Sequence, residues 1–202
     1  MKRHKKDKPP RAWQRMLSGR RLDLLDPSPL DIEIEDIAHG LARVARWNGQ
    51  TQGPHIFSVA QHSLLVEKIG GALNARISNE ERLFLLLHDA PEYVIGDMIS
   101  PFKATIGDAY KAVENRILAA ILRRFSLPPE PEPTLLLLCK KSDRAAAFFE
   151  AVSLAGFTRP EAERIFGRPS LPDDVSEALA PLSVEAVERR YLERFWALEQ
   201  DR

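Results

Sequence analysis

The sequence predicts an all-α fold, a helical bundle in a single domain, on three observations. Apolar residues recur at helical spacing through most of the chain. Helix-start residues stand before those runs, and glycine or proline follows them. Only two short stretches, Leu22–Leu25 and His55–Phe57, suit extended backbone. With 202 residues the chain is long enough to bury a core without disulfides or other staples.

The first helix is expected over Glu35–Arg46, with Ile37, Leu41 and Val44 on one face. The next runs from Ser58 to about Leu73, carries Val59, Leu64, Leu65 and Ile69, and is weakened at its end by Gly70-Gly71. Ser78-Asn79-Glu80-Glu81 spells a capping box, and Arg82–His88 behind it is nearly all apolar, the pattern of a helix buried on every side. Asp108–Phe125 is amphipathic, with Tyr110, Val113, Ile117, Ala120 and Ile121 in one stripe. Four prolines make Ser126–Pro133 a loop. Thr134 is expected to cap a long helix that reaches about Ala155 and stops at Gly156. A short helix over Glu161–Phe166 and a closing one over Val184–Leu198 complete the bundle. Val187, Tyr191, Leu192, Phe195 and Trp196 of the last helix form a stripe that packs on the body or on a second copy.

Basic and acidic side chains balance at 29 each, which excludes a strongly basic nucleic-acid binder on composition. The charge is uneven. Residues 1–21 hold Lys2, Arg3, Lys5, Lys6, Lys8, Arg11, Arg15, Arg20 and Arg21 against Asp7 alone, and are expected to be a mobile basic tail ahead of a domain over 22–202. Fully apolar runs such as Leu83–Leu87 and Leu135–Cys139 are five residues long, where a membrane-spanning helix needs about 20, so no membrane association is expected. The basic N-terminus lacks the apolar stretch of a secretory signal. The single cysteine, Cys139, excludes an internal disulfide framework and a Cys-rich zinc module, and a cytoplasmic location is expected.

Chemistry concentrates around His88-Asp89, an imidazole and a carboxylate at the end of the most apolar helix. Ionised groups in an apolar setting are costly unless paired or bound to a metal. His62 lies 26 residues earlier, in register with Val59, Leu65, Val66 and Ile69. Asp143 lies 54 residues after Asp89, one turn from Cys139, Ala146 and Ala147, and so faces inward. Three helices thus each present a nitrogen or carboxylate to the interior, the ligand types of Zn, Mn, Co, Fe or Ni sites. Of the remaining histidines, His4 lies in the tail, His39 falls off the apolar stripe of its helix, and His55 is placed to edge a pocket.

The segments Ser58-Val59-Ala60-Gln61-His62-Ser63, Leu87-His88-Asp89-Ala90-Pro91-Glu92, Gly96-Asp97 and Lys141-Ser142-Asp143 resemble, in order and spacing, the HD-domain metal-dependent phosphohydrolases. Arg46-Trp47 before the first histidine, with Glu92 and Gly96-Asp97 after the second, is similar to the bacterial 5′-deoxynucleotidases within that group. The resemblance covers about residues 31–150. Gln61 stands where many relatives have an acid, and Pro91 where serine is common.

The resemblance implies His62, His88, Asp89 and Asp143 as ligands of one divalent ion (Co, Mn, Zn, Fe, Ni or Mg). No histidine follows His88, which favours a single ion. It implies hydrolysis of a nucleoside 5′-monophosphate, preferably a deoxyribonucleotide, by a metal-activated water, with Glu92 and Asp97 handling protons. Arg46 would orient the phosphate through its planar fork. Trp47, Asp89, Asp97, Met98, Ile99 and Ser100 would contact the substrate, Trp47 walling off a 2′-hydroxyl. A homodimer is expected from the same comparison. Glu92 is four residues after His88, but Pro91 breaks the ladder, so a new short helix is expected near Ala90. Gly96 allows a positive φ before Asp97. Two other readings remain open: a phosphodiesterase or pyrophosphohydrolase acting on cyclic or hyperphosphorylated nucleotides, and a non-catalytic metal-binding helical module.

Overall fold

The computed structural model describes residues 11–99, 102–103, 105, 107–170 and 176–202. At its centre is α2 (Val59–Leu73), whose N-terminal turn is capped by Ser58 Oγ accepting from the Gln61 amide at 3.3 Å. Around it stand α1 (Ile34–Leu41), α3 (Asn79–Leu87), α4 (Glu92–Ile95), α5 (Asp108–Arg124), α6 (Pro133–Ser153), α7 (Arg159–Phe166), α8 (Ser176–Leu179) and α9 (Val184–Gln200). The fold is all-α apart from a small antiparallel hairpin, β1 (Trp13–Arg15) with β2 (Arg21–Asp23), in which Gln14 faces Leu22.

The core has two halves, and α2 belongs to both. Val59 and Ala60 pack with α1, α3, α5 and α9, while Leu65, Val66 and Ile69 pack with α6 and α7. A side chain on α2 between these sets, such as His62, is enclosed without being surrounded by aliphatic carbon alone. The expected capping box is formed: Ser78 and Glu81 each bond the other's backbone amide, and Leu83–Leu87 behind it are buried throughout. Glu67 of α2 pairs with Arg82 of α3 and Arg194 of α9, each at 2.6 Å, and sets the rotation of the three helices.

Several boundaries differ from the sequence expectation. The first helix ends at Leu41 rather than Arg46, because Ala45 turns extended to bridge Ser58, and Arg46–Gly49 forms a separate 3₁₀ turn. The long helix begins at Pro133, which suits a first-turn position, and Thr134 lies inside it; its last residue is Ser153. Of the stretch expected as a mobile tail, residues 13–15 and 21 belong to the hairpin, with Leu22 fully buried beside them, and the Trp13 ring faces the guanidinium groups of Arg11, Arg15 and Arg21. Residues 1–10, His4 among them, lie outside the described residues. The stripe of α9 is spent mostly on the body: Val187, Tyr191 and Phe195 are buried, the Tyr191 hydroxyl donates to the Leu86 carbonyl at 3.0 Å, and Trp196 remains exposed. Among the described residues no helix is long and apolar enough to cross a membrane.

The helix ending at Leu87 gives way through Pro91 to the short α4, as expected, and Gly96 then takes φ +78°. Contact between α1 and α4 places Glu92. Gly40 makes this approach possible, since a Cβ there would lie 2.8 Å from both the Cβ and the carbonyl oxygen of Tyr93. Gly40→Ala is therefore expected to destabilise the fold by about 1–3 kcal/mol, the usual cost of overpacking, measurable by chemical denaturation. An unchanged midpoint would mean that α4 yields easily.

Candidate metal centre

His62 is completely buried. Its Nδ1 lies 2.5 Å from Glu150 Oε1, and its Nε2 faces the opposite way, 3.2 Å from Asp143 Oδ1 and 3.5 Å from Asp89 Oδ2. His88 caps the C-terminal end of α3, where its Nδ1 lies 2.8 Å from the Leu85 carbonyl. A carbonyl oxygen only accepts, so this Nδ1 carries a proton and Nε2 is the ring atom left to meet an ion. That Nε2 stands 3.3 Å from Asp89 Oδ2. Both Nε2 atoms are buried and neither forms a hydrogen bond, although carboxylate oxygens stand close by.

These contacts fit a common cation better than a set of pairwise bonds. Donor atoms about 2.0–2.2 Å from one ion, at tetrahedral or octahedral angles, sit about 3–3.5 Å apart. His62, His88 and Asp143 each offer a ligand atom, all within 4.8 Å of one another. Asp89 Oδ2 lies between the two imidazoles, at the distances given above. The donor set, two imidazoles and two carboxylates, suits Zn, Mn, Co, Fe or Ni. The group could hold one metal ion, with each histidine aimed by a bond from its other nitrogen.

The electrostatics agree with the geometry. Burial raises the carboxyl affinities for protons at Asp89 and Asp143, but the adjoining imidazoles outweigh it and both are held below the usual range. Burial and Arg46 lower His62, yet Glu150 and Asp143 overcome them and raise it to about 10. These opposing shifts share one cause: the carboxylates around His62 favour positive charge in the cluster.

Beside the centre opens a cavity of about 290 Å³. Arg46, Trp47, Asp89, Asp97, Met98 and Ile99 line it, as does Glu92; Ser100 lies outside the described residues. Arg46 does not stand free to meet a ligand: its Nη1 is 3.3 Å from Asp97 Oδ2 and its Nε 3.5 Å from Glu150 Oε2. Trp47 and Asn48 hold φ of +56° and +50°, uncommon for side-chain-bearing residues, and the strain is braced by Trp47 Nε1 donating to Glu150 Oε2 at 2.9 Å. The Trp47 ring also packs edge-on against Phe166. Glu92 is almost fully buried, with Oε1 3.2 Å from Lys103 Nζ and Oε2 without a hydrogen-bond partner. Burial, together with Asp89 and Asp97, pushes it up to about 9 against the pull of Lys103 and Arg46. Burial likewise raises Asp97.

His55 is exposed and does not edge this cavity, because the chain turns it outward before Phe57 enters the core. His39 lies 3.4 Å from Glu188 on the surface. Burial pushes the Cys139 thiol far up, which suits a small packed side chain and no nucleophile. Three participants escaped the sequence reading. Glu150 stands seven residues after Asp143, two helical turns on the same face, and that spacing could have revealed it. Lys103 and Arg144 also line the cavity, with no periodic signal to mark them.

No family model matches the chain. Over 159 residues it is 58% identical to the protein RCAP_rcc00048 of Rhodobacter capsulatus, covering 79% of this chain and 81% of that one. It is also 35% identical over 99 residues to the protein YfdR of Escherichia coli, covering 49% of this chain and 50% of that one. Identity and coverage of that order with the first relative mean that the chain belongs to one family with RCAP_rcc00048.

Proposed function

We propose that this protein is an HD-type metal-dependent phosphohydrolase that cleaves the phosphomonoester of deoxyribonucleoside 5′-monophosphates. The observation that carries the reading is the convergence of His62, His88, Asp89 and Asp143 on the rim of a cavity that also holds Arg46, Trp47, Glu92 and Asp97. A divalent ion held by the first four supplies Lewis acidity, lowering the pKa of a water towards about 7 and polarising a phosphoryl oxygen.

The chain's own residues supply the rest. Asp97 and Glu150 hold the Arg46 guanidinium in one orientation at the cavity wall, so it would meet a phosphoryl group there without further ordering. Glu92, pushed up to about 9 by burial and by Asp89 and Asp97, is the acid in this cavity disposed to hold a proton. Lys103 occupies its Oε1, and the free Oε2 is the atom from which that proton passes to the departing 5′-oxygen as the P–O bond breaks. Trp47, braced by Glu150, forms a rigid wall beside the sugar, which disfavours a 2′-hydroxyl.

The test is phosphate release from 5′-dNMPs, 5′-NMPs and cyclic nucleotides by protein loaded with Mn or Co. The expected result is the highest kcat/KM on 5′-dNMPs, loss of activity with a chelator, and recovery on adding metal back. No phosphate from any monophosphate, with metal shown to be bound, would overturn the reading; turnover of cyclic nucleotides alone would replace it with a phosphodiesterase.

A further inference from the structure

The cavity beside the metal centre is lined by three cations, and two are already committed. Arg46 is paired with Asp97 and Glu150, and Lys103 with Glu92 and Glu114. The side chain of Arg144, next in sequence to the candidate ligand Asp143, has no ion pair or hydrogen bond among the described residues. It also lines a second cavity, of about 440 Å³, which shares Phe166 with the first. Lys141 and Arg168 stand in that second cavity and, among the described residues, they too have no carboxylate partner, nor does an acidic residue line it. Elsewhere on this protein arginines are repeatedly matched, as at Arg20, Arg43, Arg82, Arg124 and Arg194. Three cations, unmatched among the described residues and set around one concavity that opens onto a site for a phosphate ester, form a region of positive potential that favours an anion.

We propose that Lys141, Arg144 and Arg168 form a second phosphate subsite, and that the substrate carries another phosphate besides the one removed. The proposal rests on the phosphomonoester reading above and narrows its substrate class. The 5′-phosphate lies at the metal centre, the nucleoside passes Trp47 and Phe166, and a 3′-phosphate enters the cationic annex. Two sources share this chemistry: a nucleoside 3′,5′-bisphosphate, whose 3′ group is a terminal dianion, and a 5′-phosphorylated dinucleotide, whose 3′ group is a diester monoanion. Phe166 stands between the cavities and gives either an apolar shelf.

The experiment compares hydrolysis of 2′-deoxyadenosine 5′-monophosphate, its 3′,5′-bisphosphate and the 5′-phosphorylated dinucleotide pdApdA by the metal-loaded full chain. It uses the wild type and the double variant Lys141→Ala/Arg168→Ala, neither residue touching the metal cavity. The expected result is a kcat/KM about tenfold or more higher on the bisphosphate than on the monophosphate, the scale of one charge-assisted contact. The double variant should lose that advantage and keep its rate on the monophosphate, and added salt should erode the advantage in the wild type. A preference for the dinucleotide over the bisphosphate assigns the subsite to a diester. Equal rates on all three, or a preference that survives in the variant, overturns the subsite alone.

A second arm separates the two readings. Equilibrium dialysis with 2′-deoxyadenosine 3′-monophosphate, which has no 5′-phosphate to lose, should show binding to the wild type and not to the double variant. If no substrate is hydrolysed but this binding is present and lost in the variant, the phosphatase reading falls and the subsite stands. If the binding is absent or unchanged in the variant, the subsite falls.

Discussion

His88→Ala is expected to empty the metal centre and reduce kcat/KM on 5′-dNMPs by at least about a thousandfold, because the proposed catalysis depends on a Lewis acid that three remaining side chains would hold poorly. The size follows from how little else the site offers. His88 Nε2 is buried, unbonded and 3.3 Å from Asp89 Oδ2, so its removal withdraws one of two nitrogen donors and leaves two carboxylates facing each other. Activity alone would not separate a lost ligand from a weakened fold, since the same substitution removes the bond to the Leu85 carbonyl. Thermal stability with and without metal makes the separation. Metal bound only to the folded state raises stability by about 2.7 kcal/mol at a hundredfold excess over Kd. The wild-type melting temperature should therefore climb on adding Mn, Co or Zn, and the variant's should not. A variant that keeps its metal response and stoichiometry would show His88 to be a core histidine and the cluster to be structural.

The candidate ligands His62 and Asp143 were legible in the sequence because each lies within a helix whose apolar face is easily assigned, whereas His88 and Asp89 stand at and just past the end of α3. His62 is in register with Leu65 and Ile69, and Asp143 with Ala146, so their direction followed from periodicity and their meeting from the His-Asp pair. Pro91 likewise announced the break that creates α4, since it cannot continue the ladder from Leu87. What stayed hidden depends on contacts between residues far apart in the chain. The Ala45–Ser58 bridge ends the first helix early, yet Val44 fits a helical stripe equally well. Arg46 looked available for phosphate, and only the structure shows two carboxylates, 51 residues away and on α6, holding it. The hairpin at Trp13 was obscured by its charge, because β1 and β2 are too short to display alternation. Glu150 shares a helix face with Asp143 by its spacing, but Phe148, Phe149 and Ala151 around it spell an apolar helix end, and the spacing alone does not name His62 or Trp47 as its partners.

Glu150→Gln is expected to weaken metal binding by about 10–100-fold, the usual effect of removing the group that orients a ligating histidine, and to lower stability by about 3 kcal/mol, as when one partner of a buried ion pair is lost. Both effects have one origin. Glu150 is fully buried and accepts from Trp47 Nε1 on Oε2 while Oε1 meets His62 Nδ1, with Arg46 Nε alongside. A carboxylate serves all three because it accepts from Trp47 and meets His62 on its two oxygens while its charge pairs with Arg46, whose Nε makes no hydrogen bond; burial opposes that charge, but His62 and Arg46 outweigh it and hold the acid at about 2. Glutamine keeps the shape and accepts on one oxygen only. If that oxygen serves His62, its NH₂ confronts the indole N–H and the guanidinium; if it serves Trp47, the imidazole loses its anchor. The same side chain thus links His62 of α2 to the strained Arg46-Trp47 turn, and the variant should lose the proposed deoxyribose preference along with metal affinity. Metal Kd by chelator competition, measured where the variant is folded, together with the ratio of kcat/KM on dAMP and AMP, tests both. A purely structural Glu150 would lower the melting temperature and leave Kd and that ratio where they were. Glu150→Asp separates charge from reach: it keeps the counter-charge for Arg46 but falls one methylene short of His62, so it should recover more of the stability than of the metal affinity.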